Sequence, residues 1–112
     1  MRIFLTGATG FIGSHVLASL MRAGYEVVPL RRPGSKPVIP FDEAPNWLTH
    51  PLISLSADHL KGFDVVVHLA SAGVSPRKAS WQELGQINLL GGLQLLELAH
   101  KAGVRRFITA GT

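Results

Sequence analysis

The sequence predicts an α/β fold, in which an open, mostly parallel sheet of about five strands carries helices on its faces. Three observations support this prediction. Short apolar runs rich in β-branched residues alternate along the chain with segments of helical periodicity. The segments before the second and the last strand are long enough for the helical crossover that parallel strands require. DVVVHLA at 64–70 is apolar without alternation, which is typical of a parallel strand buried on both faces.

The first part of the chain is predicted to form a strand, a helix and a second strand. RIFLT at 2–6 contains β-branched and aromatic residues and is followed by glycine, as strands often are. From Phe11 the apolar residues recur at helical spacing, and Gly24 stands where a helix C-terminal glycine belongs. YEVVPL at 25–30 is the second strand. Its Pro29 indicates either that the strand ends there or that one of its hydrogen-bonding positions is dispensable.

A proline-rich segment follows the second strand. Residues 33–51 contain five prolines and are predicted to be irregular. LISL at 52–55 is predicted to be a weak strand. The remaining predicted elements are a single helical turn in ADHLKG at 57–62, a helix from the capping box SWQE at 80–83 to about Ala102, and a fifth strand in RRFITAG at 105–111.

The composition excludes several classes of protein. Of the 112 residues, 46% are hydrophobic and 16% are charged, as is ordinary for a globular domain. There is neither a run of about 20 apolar residues that could span a membrane nor a signal-peptide pattern. The absence of cysteine excludes disulfides and thiolate metal sites, and the five histidines lack metal-ligand spacing. We therefore expect a cytoplasmic protein with no metal and no membrane partner, in which His68 is a hydrogen-bonded core residue.

The net charge of +4 comes from basic residues that occur in pairs, Arg31–Arg32, Arg77–Lys78 and Arg105–Arg106. No basic stripe is interleaved with aromatic residues, so a nucleic-acid partner is not expected. One such pair is sufficient to bind the phosphate of a small molecule.

Three glycines at a spacing of three, Gly7, Gly10 and Gly13, separate the first strand from the first helix. A strand, a glycine loop and a helix in this order form the phosphate-binding arrangement of dinucleotide folds. There the first glycine permits a tight turn, the second lets a pyrophosphate approach the backbone, and the third lets the helix pack closely on the sheet. The helix N-terminus adds unpaired N–H groups. The alternative is a glycine-rich turn without a ligand.

TGATGFIG at 6–13 resembles the TGxxGxxG fingerprint of the extended short-chain dehydrogenase/reductase superfamily, which includes the NAD-dependent epimerases and dehydratases of nucleotide sugars. DVVVHLAS at 64–71 resembles the fourth strand of that family, and INLLGGLQLLELAHKAGVRRFI at 87–108 resembles its next helix and fifth strand. The resemblance implies a Rossmann-type NAD(P)-binding domain over residues 1–112.

The resemblance also implies which residues contact the cofactor. They belong to the glycine loop and the start of its helix, to the ends of the second and fourth strands, and to the central helix. The implied residues are Gly7, Gly10, Phe11, Ile12, Gly13, Arg31, Arg32, Leu69, Ala70 and Asn88. For Asn88, which lies on an apolar helical face, a solvated helix residue is the alternative.

The residues after the second strand bear on the choice of cofactor. NAD-dependent relatives have an acid there, which accepts hydrogen bonds from the adenosine ribose. This chain has Arg31 and Arg32, and no acid occurs before Asp42. Since an arginine can bind a 2′-phosphate as a charge-assisted fork, the resemblance implies NADP in preference to NAD. The alternative is a solvated pair of loop arginines.

Catalysis in this superfamily rests on a Tyr-x-x-x-Lys pair and a Ser or Thr. The only tyrosine is Tyr25, and Pro29 stands four residues after it, so the pair is absent and we expect the chain alone to be inactive. Thr112 matches the catalytic Ser or Thr that follows the fifth strand. We expect residues 1–112 to be the N-terminal part of a longer enzyme, without the later strands and the substrate-binding C-terminal lobe. The resemblance implies a nucleotide-sugar substrate for that enzyme.

The alternative function is a non-catalytic NADP-sensing or regulatory module of the same fold. It differs from the enzyme in lacking the Tyr-x-x-x-Lys pair anywhere in the gene product. Homo-oligomerisation stays open.

Overall fold

The computed structural model describes residues 1–70 and 81–109, with the backbone alone for residues 81–89. Five parallel strands form one sheet in the order β3-β2-β1-β4-β5. The strands are β1 (Arg2–Thr6), β2 (Glu26–Arg31), β3 (Leu48–Thr49), β4 (Val65–His68) and β5 (Arg106–Thr109). The helices are α1 (Phe11–Arg22), α2 (Ala57–Leu60) and α3 (Trp81–Lys101), with a 3₁₀ turn at Leu52–Ser54. The predicted α/β fold is confirmed.

The central strand β1 is buried on both faces because helices cover the sheet from both sides. Ile3 and Leu5 belong to the apolar cluster that contains Leu17 of α1. Phe4 points to the other face, into the cluster that contains Leu95 of α3. Each such fully buried side chain stabilises the fold by about 1.5–3 kcal/mol. The continuous apolar sequence of β1 thus reflects a three-layer arrangement in which the sheet is the middle layer.

The helix α1 ends at glycine, as the sequence predicts. The N–H of Gly24 donates to the carbonyl of Met21 (3.1 Å), and that of Tyr25 donates to the carbonyl of Leu20 (3.2 Å). This pair of bonds satisfies carbonyls that the last helical turn leaves unpaired, and it directs the chain straight into β2. The same pattern closes α3 around Gly103.

Pro29 lies inside β2, which continues to Arg31, so the strand does not end at the proline. The Arg31 carbonyl accepts a hydrogen bond from the N–H of His50 (3.0 Å), so the Arg31 backbone faces β3. Backbone groups two residues apart on a strand face the same side, so the Pro29 nitrogen faces that side too. Because the pairing with β3 begins only at Leu30, no partner requires an N–H from Pro29.

Two predictions for the segment before α2 are wrong. Residues 33–51 are not irregular throughout, because Leu48 and Thr49 form the short edge strand β3. Residues 52–55 are not a strand but contain the 3₁₀ turn. Leu52 and Leu55, three residues apart, both pack on the core, whereas Ile53 is exposed. The apolar period here is therefore three, the period of a 3₁₀ helix, and not two.

The carboxyl ends of all five strands lie at one edge of the sheet because the strands are parallel. At this edge β1 is flanked by β2 on one side and by β4 on the other, so the chain order reverses at β1. Open α/β sheets bind ligands in the crevice at such a reversal. The loop from β1 to α1, the end of β2 and the end of β4 all lie there.

Two features are absent from the described residues. No group of three or more His, Cys, Asp or Glu side chains could hold a metal ion among them. No helix in the described ranges has the length and the apolar character that crossing a membrane requires.

Candidate functional site

The loop between β1 and α1 is closed by two glycines whose backbones are in close contact. Gly7 has a positive φ of +77°, and a Cβ on it would lie 2.6 Å from the backbone nitrogen of Ala70. A Cβ on Gly13 would lie 1.8 Å from the carbonyl oxygen of Gly7. Neither residue can carry a side chain unless the backbone moves. These contacts hold the start of α1 against the end of β1, and the end of β1 against the end of β4.

Gly10 differs from the other two glycines of the loop. Among the described atoms, a Cβ on Gly10 would meet the carbonyl oxygen of Gly7 at 3.5 Å, which is an ordinary van der Waals contact. Its φ of −75° is accessible to any residue. The packing of the described residues therefore gives no reason for a glycine here.

Gly10 is the N-cap residue of α1 and leaves the first helical turn uncapped. No side chain in the described part of the chain accepts a hydrogen bond from that turn, and the turn contains no acidic residue. The N–H groups of Phe11, Ile12 and Gly13 have no acceptor within the helix because it begins there. Phe11 and Ile12 are each 70% exposed. Because their side chains are apolar, a polar ligand at this point would bind to their backbone. Unpaired N–H groups and the helix dipole favour an anion here.

The hydroxyl of Thr6 joins the ends of β1 and β4 beneath this loop. Its Oγ1 accepts hydrogen bonds from the backbone N–H groups of Leu69 and Ala70, both at 3.2 Å. The same oxygen lies 2.6 Å from Nδ1 of His68. Since the two accepted bonds use both lone pairs of Oγ1, the hydroxyl donates its one proton to Nδ1. The neutral imidazole then carries its own proton on Nε2.

His68 is a buried residue with 7% exposure on the α3 side of the sheet. Its ring centre lies 6.2 Å from that of Phe107 on β5. A Cβ on Gly92 of α3 would lie 3.9 Å from its Nε2. Burial lowers the pKa of His68, so the ring is neutral at physiological pH. The prediction of a hydrogen-bonded core histidine is confirmed.

The two arginines after β2 differ in their surroundings. Arg31 donates a hydrogen bond from Nε to Oγ1 of Thr49 (2.9 Å). Its guanidinium carbon lies 5.3 Å from the ring centre of Trp47, within the range of a cation–π contact. Arg32 follows the strand and is exposed. Trp47 and Thr49 could not be identified from the sequence as partners of Arg31, because both lie in the segment predicted to be irregular.

The remaining candidate residues are placed as follows. Leu69 and Ala70 are half-buried at the end of β4 and face the glycine loop at Gly7, and their contact with a cofactor stays a prediction. Asn88 lies in α3, but its side chain is outside the described residues. Thr112 and the start of the predicted capping box at 80–83 lie outside them as well. The roles of Asn88 and Thr112 stay predictions.

Comparison with known proteins identifies relatives over nearly the whole chain. The sequence model of the NAD dependent epimerase/dehydratase family matches residues 3–112. CDP-abequose synthase of Salmonella muenchen is 31% identical over 108 residues, which cover 96% of this chain and 36% of that protein. UDP-glucuronic acid decarboxylase 6 of Arabidopsis thaliana is 32% identical over 120 residues, which cover 98% of this chain and 33% of that protein.

Solved structures with the same fold include proteins whose names also refer to nucleotide sugars. TunA, described as an NAD-dependent NDP-hexosamine 5,6-dehydratase, matches with a TM-score of 0.80 and 33% identity, over 99% of this chain and 37% of its own. MoeE5 in complex with UDP-glucose and NAD matches with a TM-score of 0.77 and 32% identity, over 100% of this chain and 36% of its own. The chain thus spans about a third of the length of the relatives it matches. These matches confirm the Rossmann-like fold and support NAD(P) as the cofactor.

Proposed function

Because the chain belongs to the NAD-dependent epimerase/dehydratase family, we propose that residues 1–112 are the dinucleotide-binding N-terminal part of an enzyme that converts a nucleotide sugar. The observation that carries the proposal is the contrast within the glycine loop. Backbone packing requires glycine at Gly7 and Gly13, whereas Gly10 leaves space beside an uncapped helix start. A pyrophosphate that approaches the backbone needs this arrangement. The names of the relatives support a nucleotide-sugar substrate.

In this proposal the pyrophosphate lies over Gly10 and accepts hydrogen bonds from the first N–H groups of α1. Leu69 and Ala70 form the opposite wall of the cleft, held in place by Thr6. The nicotinamide, when bound, supplies the site that accepts or donates a hydride. The chain's own residues bind the dinucleotide and orient it. Asn88 supports the active-site region, and Thr112 supplies a catalytic hydroxyl.

The binding half of the proposal is tested by titration calorimetry of NAD⁺ and NADP⁺ into the purified chain. Binding of either dinucleotide supports it. If neither dinucleotide binds at high concentration, the proposal is contradicted. The enzymatic half is tested with the longer gene product that carries this chain at its N-terminus. Conversion of a UDP- or CDP-sugar supports the enzyme, whereas dinucleotide binding without conversion supports the alternative of a sensing module.

We further propose that the site prefers NADP to NAD. In the parallel register Leu5 pairs with Pro29, so the end of β2 lies level with the start of the glycine loop. Arg31 is held there by Thr49 and Trp47 through its Nε and its face, which leaves the two terminal nitrogens of the guanidinium for a phosphate. A guanidinium that is already oriented loses less entropy when it binds.

The preference is tested by titrating both dinucleotides into the wild type and into a variant with Arg31→Ala and Arg32→Ala. A charge-assisted contact of about 1.5–3 kcal/mol predicts that NADP⁺ binds roughly tenfold to a hundredfold more tightly than NAD⁺. The double variant should lose this difference and keep its affinity for NAD⁺. Higher salt should reduce the difference, because an exposed arginine–phosphate pair is screened.

The matched control replaces Arg105 and Arg106 with alanine. This change removes the same charge at the opposite, amino-terminal end of β5, where both side chains are exposed. The control should bind NADP⁺ like the wild type. Equal affinities of the wild type for the two dinucleotides, or an equal loss in both double variants, would show that the two arginines are ordinary surface charges.

A further inference from the structure

We propose that His68 is a positioning residue of the dinucleotide site and that the site binds its ligand well only while His68 is neutral. The residue acts through Thr6 and the end of β4 and has no contact with the ligand itself. This inference rests on the proposed function, since it concerns the affinity of the same site. It adds a pH dependence of the dinucleotide affinity, which the proposed function does not contain.

The hydroxyl of Thr6 uses its full hydrogen-bonding capacity. Its proton is donated to Nδ1 of His68, and its two lone pairs accept the N–H groups of Leu69 and Ala70. Every donor and acceptor position of this hydroxyl is therefore in use. The arrangement requires an unprotonated Nδ1 on His68.

Protonation of His68 makes this arrangement inconsistent. The imidazolium ring carries a hydrogen on both nitrogens, so Nδ1 becomes a donor. The 2.6 Å between Nδ1 and Oγ1 of Thr6 has room for one hydrogen. If Nδ1 donates, Oγ1 faces three donors with two lone pairs, and its own proton loses its acceptor. One of the two accepted bonds must then lengthen or break: the bond from Ala70, or the bond from Leu69, whose N–H is shared with the backbone carbonyl of Thr6 at 3.2 Å.

The two N–H groups concerned belong to the wall of the cleft. The backbone nitrogen of Ala70 and the carbonyl carbon of Leu69 each lie 2.6 Å from the position of a Cβ on Gly7. The end of β4 and the glycine loop are therefore packed directly on each other. A shift at residues 69–70 changes the distance between the two walls that the dinucleotide must contact at the same time.

The surroundings of His68 offer nothing that would stabilise a positive charge in the described part of the chain. The ring is hydrogen-bonded to Thr6 of β1 and lies beside the Phe107 ring of β5, and a Cβ on Gly92 of α3 would come within 3.9 Å of it. No titratable or charged side chain of these elements faces it among the described residues, and desolvation alone accounts for its lowered pKa. Protonation of His68 is therefore unfavourable in the folded chain. When it occurs, it alters the hydrogen bond between His68 and Thr6.

The test measures the affinity for NAD⁺ by calorimetry between about pH 5 and pH 8, together with the pKa of His68 by NMR. NAD⁺ is the probe because the 2′-phosphate of NADP⁺ titrates near pH 6 itself. The affinity should be constant above the pKa of His68 in the unbound chain and fall below it by about tenfold per pH unit. Saturating NAD⁺ should lower that pKa further. Affinities are compared only where the circular dichroism spectrum is unchanged.

Two substitutions separate positioning from simple packing. His68→Asn retains an oxygen that can accept the Thr6 proton but does not titrate, so it should bind NAD⁺ at pH 8 within about threefold of the wild type and show a flat pH profile. His68→Phe removes the acceptor and should bind at least about tenfold more weakly at every pH. The control His100→Asn, at an exposed histidine in the last turn of α3, should keep the wild-type profile.

The outcomes distinguish this inference from the proposed function. If NAD⁺ binds with an affinity that does not change through the titration of His68, the inference is wrong and the proposed function stands. If the His68→Asn variant keeps the wild-type pH dependence, another group carries the proton and the inference is equally wrong. If the wild type does not bind NAD⁺ at pH 8, both fail. If His68→Phe does not fold, the NMR titration and the asparagine variant decide.

Discussion

Gly13→Ala and Gly10→Ala add the same methyl group at two points three residues apart, yet they should affect different properties of the chain. At Gly13 the new carbon would lie 1.8 Å from the carbonyl oxygen of Gly7, whereas at Gly10 it would lie 3.5 Å from that same oxygen. We therefore expect the first substitution to damage the fold and the second to damage dinucleotide binding alone.

The size of the Gly13 effect follows from the overlap. Backbone must move by more than about 1 Å to restore a normal contact, at a point fixed by both α1 and β4, so the cost should reach or exceed the ~3 kcal/mol upper end for an added methylene. For a domain of this size that corresponds to a melting temperature lower by about 12 °C or more. Most of the stability of a small domain could be lost by this one change.

At Gly10 two small terms nearly cancel. Alanine restricts the unfolded chain and so stabilises by about 0.4–1 kcal/mol. As an N-cap residue it is poorer than glycine by a similar amount, roughly 0.5–1 kcal/mol. The melting temperature should therefore stay within about 4 °C of the wild type. The affinity for NAD⁺ and NADP⁺ should nevertheless fall at least about tenfold, because the methyl group separates the pyrophosphate from the N–H groups of α1.

Thermal unfolding and titration calorimetry on the same preparations check both expectations. Gly91→Ala is the matched control, since no described atom outside its own helix lies within 4 Å of the added carbon. It should leave binding unchanged and raise the melting temperature by about 4 °C, because alanine is about 1 kcal/mol more favourable than glycine inside a helix. A Gly13→Ala variant that melts with the wild type would refute the packing argument, and a Gly10→Ala variant that binds both dinucleotides as tightly as the wild type would refute the site.

Three further outcomes follow from the structure. Thr6→Val should cost about 1–3 kcal/mol in urea denaturation, because it leaves the N–H of Ala70 and the His68 ring without their partner, although the N–H of Leu69 keeps the backbone carbonyl of Thr6 (3.2 Å). Thr6→Ser should cost less than about 1 kcal/mol; equal costs would contradict the hydrogen-bond assignment. The folded chain binds a proton at His68 less readily than the unfolded chain, so the free energy of unfolding should decrease as the pH is lowered below about 6.5 and level off below the lowered pKa. The urea midpoint should show this decrease in the wild type and a much smaller decrease in His68→Asn. The purified chain should show no hydride transfer with NAD(P)⁺ and a nucleotide sugar, since its only tyrosine, Tyr25, has no lysine four residues later; a reproducible rate of reduced nicotinamide formation would contradict this.

The parts of the fold that could be predicted are those whose residues repeat with a clear period. The apolar run of β4 and the helical spacing from Phe11 in α1 both have enough length to show their period. The strand β3 has only two residues, Leu48 and Thr49, which is too few to show a period. They form a strand because they pair with the edge of β2. The run from Leu52 to Leu55 could not be classified for the same reason, since four residues fit a period of two or of three.

The site was predictable where its residues are adjacent in sequence. Gly7, Gly10 and Gly13 are identified by their spacing, although spacing does not show that packing requires only two of them. The bond from Thr6 to His68 joins residues 62 positions apart, and it exists because the parallel register of β1 and β4 sets them side by side. Sequence patterns contain no information on register between distant strands, so this bond could not be found before the structure.

The position of β1 in the middle of the sheet has a consequence for biosynthesis. β1 is made before the other four described strands. Its partner in β2 follows after 24 residues, but its partner in β4 follows only after 62. At about 5–20 residues per second, a ribosome needs some 2–8 s for the roughly 38 residues that separate the first partner from the second. During this interval an apolar strand has one unpaired edge, on which other chains can pair. The nascent chain is therefore most exposed to aggregation between the synthesis of β2 and that of β4, and this is the interval in which a chaperone would have the largest effect on yield.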